Sequence, residues 1–122
     1  MKQEAGQYLR DQYANADGIM FCQNCQKPLP FKLVDGLFYF EKVEFLPELK
    51  QYYYQNYLAL CPNHSAMFKL ANGSRDIMLE LFSKIDSLLL DVVLAGKSVT
   101  IRFTKTHIID LQAVISSEAK SA

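Results

Sequence analysis

The sequence predicts an α+β fold on three observations. Apolar residues recur at helical spacing near both ends of the chain and in its middle. Two turn signals, Asp35-Gly36 and Ala95-Gly96-Lys97-Ser98, separate runs of branched and aromatic residues. All 3 cysteines fall, with one histidine, into two tight pairs, Cys22/Cys25 and Cys61/His64.

Taken in order, Tyr8, Leu9 and Tyr13 place a helix over residues 3–14, which Ala14-Asn15-Ala16-Asp17-Gly18 stops. Pro28-Leu29-Pro30 forces an extended or turn backbone after the first cysteine pair. Asp35-Gly36 then predicts a hairpin pairing residues 31–34 with 37–45, ended by Pro47. A polar, tyrosine-rich connection leads to the apolar run before Cys61. Pro62 at a first helical position opens a helix that carries His64 in its first turn and ends at Asn72-Gly73. Ser74 is placed to cap the next helix, with Ile77, Met78, Leu81, Phe82 and Ile85 as its buried stripe. LLLDVVL and VTIRF predict a second hairpin. Thr106 is placed to cap a last helix that buries Ile108, Ile109, Leu111 and Ile115, and SSEAKSA reads as a frayed end.

A chain of 122 residues fits one compact unit, read here as a metal module over 1–73 and a helix–hairpin–helix extension over 74–122 packed on it. Thirteen basic and 13 acidic residues cancel, which removes the overall electrostatic footprint of a protein held chiefly to phosphates. The N-terminal residues lack the apolar run of a signal peptide, and no stretch is apolar enough for a membrane span, so a cytoplasmic location is expected.

An odd number of cysteines in a reducing compartment argues for metal ligation over disulfides. Cys22, Cys25, Cys61 and His64 form CxxC, a gap of 35 residues, then CxxH. Two such half-sites supply the four soft or borderline donors that tetrahedral zinc takes, and four protein ligands close the site to substrate. A thioredoxin-like reading fails, because that chemistry places CxxC at a helix start after a strand and here prolines follow. Structural zinc is therefore the expected cofactor, with a large share of the folding free energy.

A CxxC knuckle, a hairpin and a second ligand pair at a helix start is the treble clef arrangement. Residues 7–68 resemble the HNH endonuclease family: QYLRDQY as lead-in helix, CQNC as knuckle, QNYLALCPNH as second half-site, with Asn56 in the place of the family's central asparagine. The resemblance implies a zinc-binding treble clef, extended here by a helix, a hairpin and a C-terminal helix. It further implies a role within proteins that handle DNA, such as bacterial defence systems.

The family's nuclease chemistry requires a histidine pair, or an aspartate and a histidine, on the second hairpin strand. This chain has Glu41 and Lys42 there, and Ser65 where a further histidine would follow. The expectation is a degenerate, HNH-like binding or scaffolding domain with no catalytic residues. Its partner would be nucleic acid or a larger protein, with no membrane and no evident small-molecule substrate. The alternative is an atypical HNH-type endonuclease in which His64 joins Glu41 or Glu44 at a catalytic metal.

Among other residues, Lys42, Lys50, Tyr53, Tyr54 and Lys69 are candidates for nucleic-acid or partner binding, by stacking and charge. The competing reading packs the tyrosines over the zinc module. His107, at a helix start, is expected neutral and structural or superficial. Lys97, Arg102 and Lys105 read as the solvated face of a strand.

Overall fold

The computed structural model describes residues 4–121. It is α+β, as expected. In chain order come α1 (Ala5–Tyr13), β1 (Glu41–Glu44), β2 (Tyr57–Leu60), α2 (Pro62–Leu70), a 3-10 turn (Arg75–Ile77), α3 (Met78–Ser83), β3 (Leu89–Leu94), β4 (Lys97–Arg102) and α4 (Lys105–Ser121). Two antiparallel pairs form, β1 with β2 and β3 with β4.

The first hairpin departs from expectation. Its turn is present: the Asp35 carboxylate accepts the Leu37 N–H at 2.9 Å, Gly36 takes a φ of +89°, and Lys32 bridges Phe38. Residues 41–44, however, pair with 57–60, from Glu41 opposite Leu60 to Glu44 opposite Tyr57. Apolar burial decides the partner. Leu58, Ala59 and Leu60 are at most 1% exposed, whereas Phe31, Leu33, Val34 and Leu37 stand open to solvent. A strand carrying Val43 toward the core gains more by pairing with the buried run.

The core joins both halves of the chain. Phe45, at the end of β1, meets Phe82 of α3 edge-on at 5.5 Å between ring centroids and Phe103, after β4, at 5.4 Å. Phe68 of α2 packs on Phe45 at 6.5 Å. In β3, Leu90, Val92 and Leu94 turn inward and alternate with exposed neighbours, the period-2 pattern of a half-buried strand.

Several sequence expectations are corrected at element ends. Ser74 does not cap a helix; its hydroxyl accepts the Val93 N–H at 2.9 Å and ties the turn before α3 to β3. Ile77 lies in the 3-10 turn and is exposed, so the buried stripe reduces to Met78 and Phe82, with Leu81 and Ile85 half-buried. Thr106 lies inside α4. Thr104 does the capping, accepting the His107 N–H on its hydroxyl at 3.1 Å and the Ile108 N–H on its carbonyl at 3.1 Å. Ile109 is exposed. α4 also runs through the expected frayed end, where the Glu118 carboxylate accepts the Lys50 N–H at 2.8 Å and holds its own pKa below the usual range. Among the described residues, no helix is long and apolar enough to cross a membrane.

Candidate metal centre

The knuckle is set by backbone geometry. After the bridge from Phe21 to Pro28, the Cys22 N–H donates to the Lys27 carbonyl at 3.1 Å and the Gln26 N–H returns to the Cys22 carbonyl at 2.9 Å. Closing so tight a turn puts Gln26 at a φ of +59°, a region that costs an L-residue about 1–2 kcal/mol. Cys61 ends β2 as the residue before α2, and Pro62 starts the helix without a lost hydrogen bond, since a first-turn N–H has no intrahelical partner. His64 follows within the first turn.

These two segments, distant in sequence, meet. One donor atom from each of Cys22, Cys25, Cys61 and His64 lies within 4.8 Å of the others, a group that could hold a metal ion. His64 Nδ1 is 3.2 Å from the Cys61 sulfur and 4.0 Å from that of Cys22. Cys22 is buried, and burial pushes its thiol pKa up to about 12. Burial, helped by the charge of Lys27, lowers that of His64. As a thiol, Cys22 thus resists ionisation, and a cation among the sulfurs reverses that preference. Around the cluster, the Asn24 N–H points at the Cys22 sulfur at 3.4 Å. Among the described residues, Asn24 Nδ2 and Ser65 Oγ are buried without a partner. Such orphaned donors fit a site that carries negative thiolate charge.

Gln23, inside the knuckle and 1% exposed, was not singled out by sequence reasoning, yet it fixes the knuckle in the fold. Its N–H donates to the Ala59 carbonyl and its carbonyl accepts the Arg102 N–H. Its side-chain oxygen accepts the Ala59 N–H at 2.8 Å, and its amide nitrogen donates to the Arg102 carbonyl at 2.9 Å and the Tyr13 hydroxyl at 3.0 Å. One glutamine therefore bridges β2, β4 and α1.

The network continues to His107, which is fully buried. Its Nε2 lies 2.8 Å from the Gln55 carbonyl, an acceptor only, so Nε2 carries the proton and Nδ1 accepts the Tyr13 hydroxyl at 2.5 Å. Desolvation brings the His107 pKa down to about 4, against the opposing pull of the Gln55 carbonyl and Asp110. Burial likewise pushes Tyr13 well above the ordinary tyrosine value. His107 is neutral, as expected of a helix start, and structural rather than superficial. Asn56 is a second buried clamp, its amide exchanging bonds of 2.9 and 2.8 Å with the Leu46 backbone.

The five candidate binding residues do not share one surface. Lys42 and Lys69 face a groove of about 260 Å³ between β1 and α2, with Arg75. Lys42 Nζ stands 5.5 Å over the Tyr57 ring and Lys69 pairs with Glu41 at 3.8 Å. Lys50 lies beside Glu118. Tyr53 also meets Glu118, while Tyr54 packs edge-on against Tyr8 at 5.1 Å. Arg102 and Lys97 sit at opposite ends of β4, five residues apart and so on opposite faces, while Lys105 starts α4; they form no common strand face. Glu41, besides Lys69, accepts the Tyr39 hydroxyl.

No family model, curated protein or solved structure matches the chain.

Proposed function

We propose that this chain is a zinc-stabilised binding module of the treble clef, HNH-like type, whose partner is nucleic acid. The convergence of Cys22, Cys25, Cys61 and His64 within 4.8 Å carries the reading. Zinc–sulfur and zinc–nitrogen bonds of about 2.3 and 2.0 Å imply tetrahedron edges of about 3.4–3.8 Å. The separations of 3.2 and 4.0 Å at His64 bracket that range, so small side-chain shifts complete the site. Three thiolates and one imidazole are the donor chemistry of structural zinc, which leaves no open position. When bound, the metal would supply cross-linking of the knuckle to α2 across the 35 intervening residues.

The groove beside β1 supports nucleic acid as the partner. Lys42, Lys69 and Arg75 line it together with Phe68 and a single carboxylate, Glu44, and among the described residues Lys69 is the one of the three with an ion-pair partner. Three cations at one groove suit two or three phosphates. The HNH-like reading adds that His64, next to the Cys61 sulfur, belongs to the structural metal and not to a scissile phosphate.

The test joins metal analysis to binding. Protein purified without chelator should contain one zinc per chain. Labelled DNA should bind with a log–log salt slope of about −2 to −3. The K42Q/K69Q/R75Q variant, with zinc retained, should flatten that slope. Zinc-free protein that folds would overturn the module, and salt-independent or absent binding would overturn the partner. Plasmid nicking that needs magnesium, manganese or nickel and is lost on Glu41→Ala would replace the reading with the endonuclease.

A further inference from the structure

A cavity of about 460 Å³ opens between the end of α1, the knuckle and the end of β4, apart from the basic groove. Its volume falls within the range of about 300–1,000 Å³ typical of small-ligand sites. Phe21, Leu88 and Phe103 supply apolar wall, and among the described residues no acidic side chain lines it. Arg102 is exposed at the cavity and makes no ion pair among the described residues.

For most of the remaining polar lining, the hydrogen-bonding polarity is fixed by bonds already made. Thr104 Oγ1 accepts the His107 N–H, so its hydroxyl proton goes to Gln12 Oε1 at 2.5 Å. The Gln12 oxygen is thereby used and its NH₂ is left over. The Asn15 side-chain oxygen accepts two backbone N–H groups, from Asp17 at 2.9 Å and Ile19 at 3.0 Å, which again leaves an NH₂. The Gln23 amide is satisfied at both ends, and the Tyr13 hydroxyl gives its proton to His107. Apart from the exposed Gln26 amide, which offers a donor and an acceptor alike, the side-chain groups left over at this cavity are donors: a guanidinium and two carboxamide NH₂ groups, set against hydrocarbon. A ligand that satisfies them must accept hydrogen bonds and carry negative charge.

We propose that this cavity binds a small organic anion, with one carboxylate or phosphate held by Arg102, Gln12 and Asn15 and an apolar or aromatic body against Phe21, Leu88 and Phe103. The site stands whether or not the chain's partner is nucleic acid, because it shares no residue with the basic groove.

Benzoate and phenyl phosphate are suitable probes for the two head groups, and benzyl alcohol is the neutral control. Each is titrated into the full, metal-saturated chain while backbone amide resonances are followed. Saturable shifts are expected at residues 12–15, 21–26 and 102–104 with either or both anions. Benzyl alcohol and the Arg102→Gln variant should each bind about tenfold more weakly or worse. Leu88→Glu, at a residue 40% exposed, gives a second variant: it sets a carboxylate beside Arg102 and should compete with the probes. The proposal is overturned if neither anion saturates, if benzyl alcohol binds equally, if both variants bind as the parent does, or if the shifts gather on Lys42, Lys69 and Arg75.

Discussion

Gln23→Ala is the substitution that most directly tests how the metal knuckle is held to the rest of the fold. It removes three side-chain hydrogen bonds of 2.8, 2.9 and 3.0 Å from a residue 1% exposed. Two of the partners, the Ala59 N–H and the Arg102 carbonyl, sit at opposite ends of the amide and have no other side-chain partner among the described residues. Each buried group left unpaired costs about 1–3 kcal/mol. The Tyr13 hydroxyl keeps His107, and the adjoining cavity lets water reach part of the gap. A loss of about 3 kcal/mol follows, a large fraction of the 5–15 kcal/mol that holds a typical domain. Gln23→Glu should lose at least as much at neutral pH. A carboxylate still accepts from Ala59 but turns a second oxygen toward the Arg102 carbonyl, where a donor is required. Urea unfolding of the metal-saturated protein measures both, the midpoint falling by about 1–3 M for an m-value in the usual range. If both variants stay within about 0.5 kcal/mol of the parent, the range of an indifferent surface change, Gln23 is not the bridge described.

The strained knuckle predicts the opposite sign. Gln26, exposed at a φ of +59°, should gain about 0.5–1 kcal/mol on Gln26→Gly, since relief of left-handed strain exceeds glycine's larger entropy loss; a lower unfolding midpoint would refute this. For His107, the folded pKa of about 4 lies below the ordinary 6.5, so its contribution is fully present above 6.5 and is lost as pH falls from 6.5 toward 4. The loss should be about 2 kcal/mol between neutral pH and about pH 5, on a linkage of 1.4 kcal/mol per unit. Because other groups also take up protons as the pH falls, the quantity to measure is the difference in that loss between parent and His107→Gln; equal losses would refute the assignment.

What the sequence could reveal was whatever repeats locally. Helical spacing of Tyr8, Leu9 and Tyr13 located α1, the branched residues of LLLDVVL before Ala95-Gly96 located β3, and Pro62 with Asn72-Gly73 bounded α2. The candidate metal-binding group was legible for a different reason. Cysteine is rare in this chain, so two pairs at ligand spacing stand out, and the structure brings both pairs together. Turn chemistry was legible too, but a turn fixes only the residues beside it. Asp35-Gly36 folds 31–39 back on itself, while the partner of 41–44 is chosen by which distant run is most buried, a comparison no local signal contains. Capping failed in the same way. Thr104 and Thr106 are equivalent as sequence signals, and His107 decides between them, because burying its ring against Tyr13 and Gln55 sets where α4 begins.

The polar residues that organise the centre were the least legible of all. A glutamine between two cysteines reads as knuckle surface, and only the arrival of Ala59 and Arg102, far along the chain, makes it buried and indispensable. Neighbouring contacts use the side-chain oxygens of Gln12 and Asn15, so the donors of Gln12, Asn15 and Arg102 acquire meaning only after those bonds are traced. The knuckle and the cavity proposed for an anion are thus two faces of one junction. Gln23 satisfies the strands on one side of it, and the exposed Arg102 guanidinium, lining the cavity on the other, supplies the charge that favours an anion.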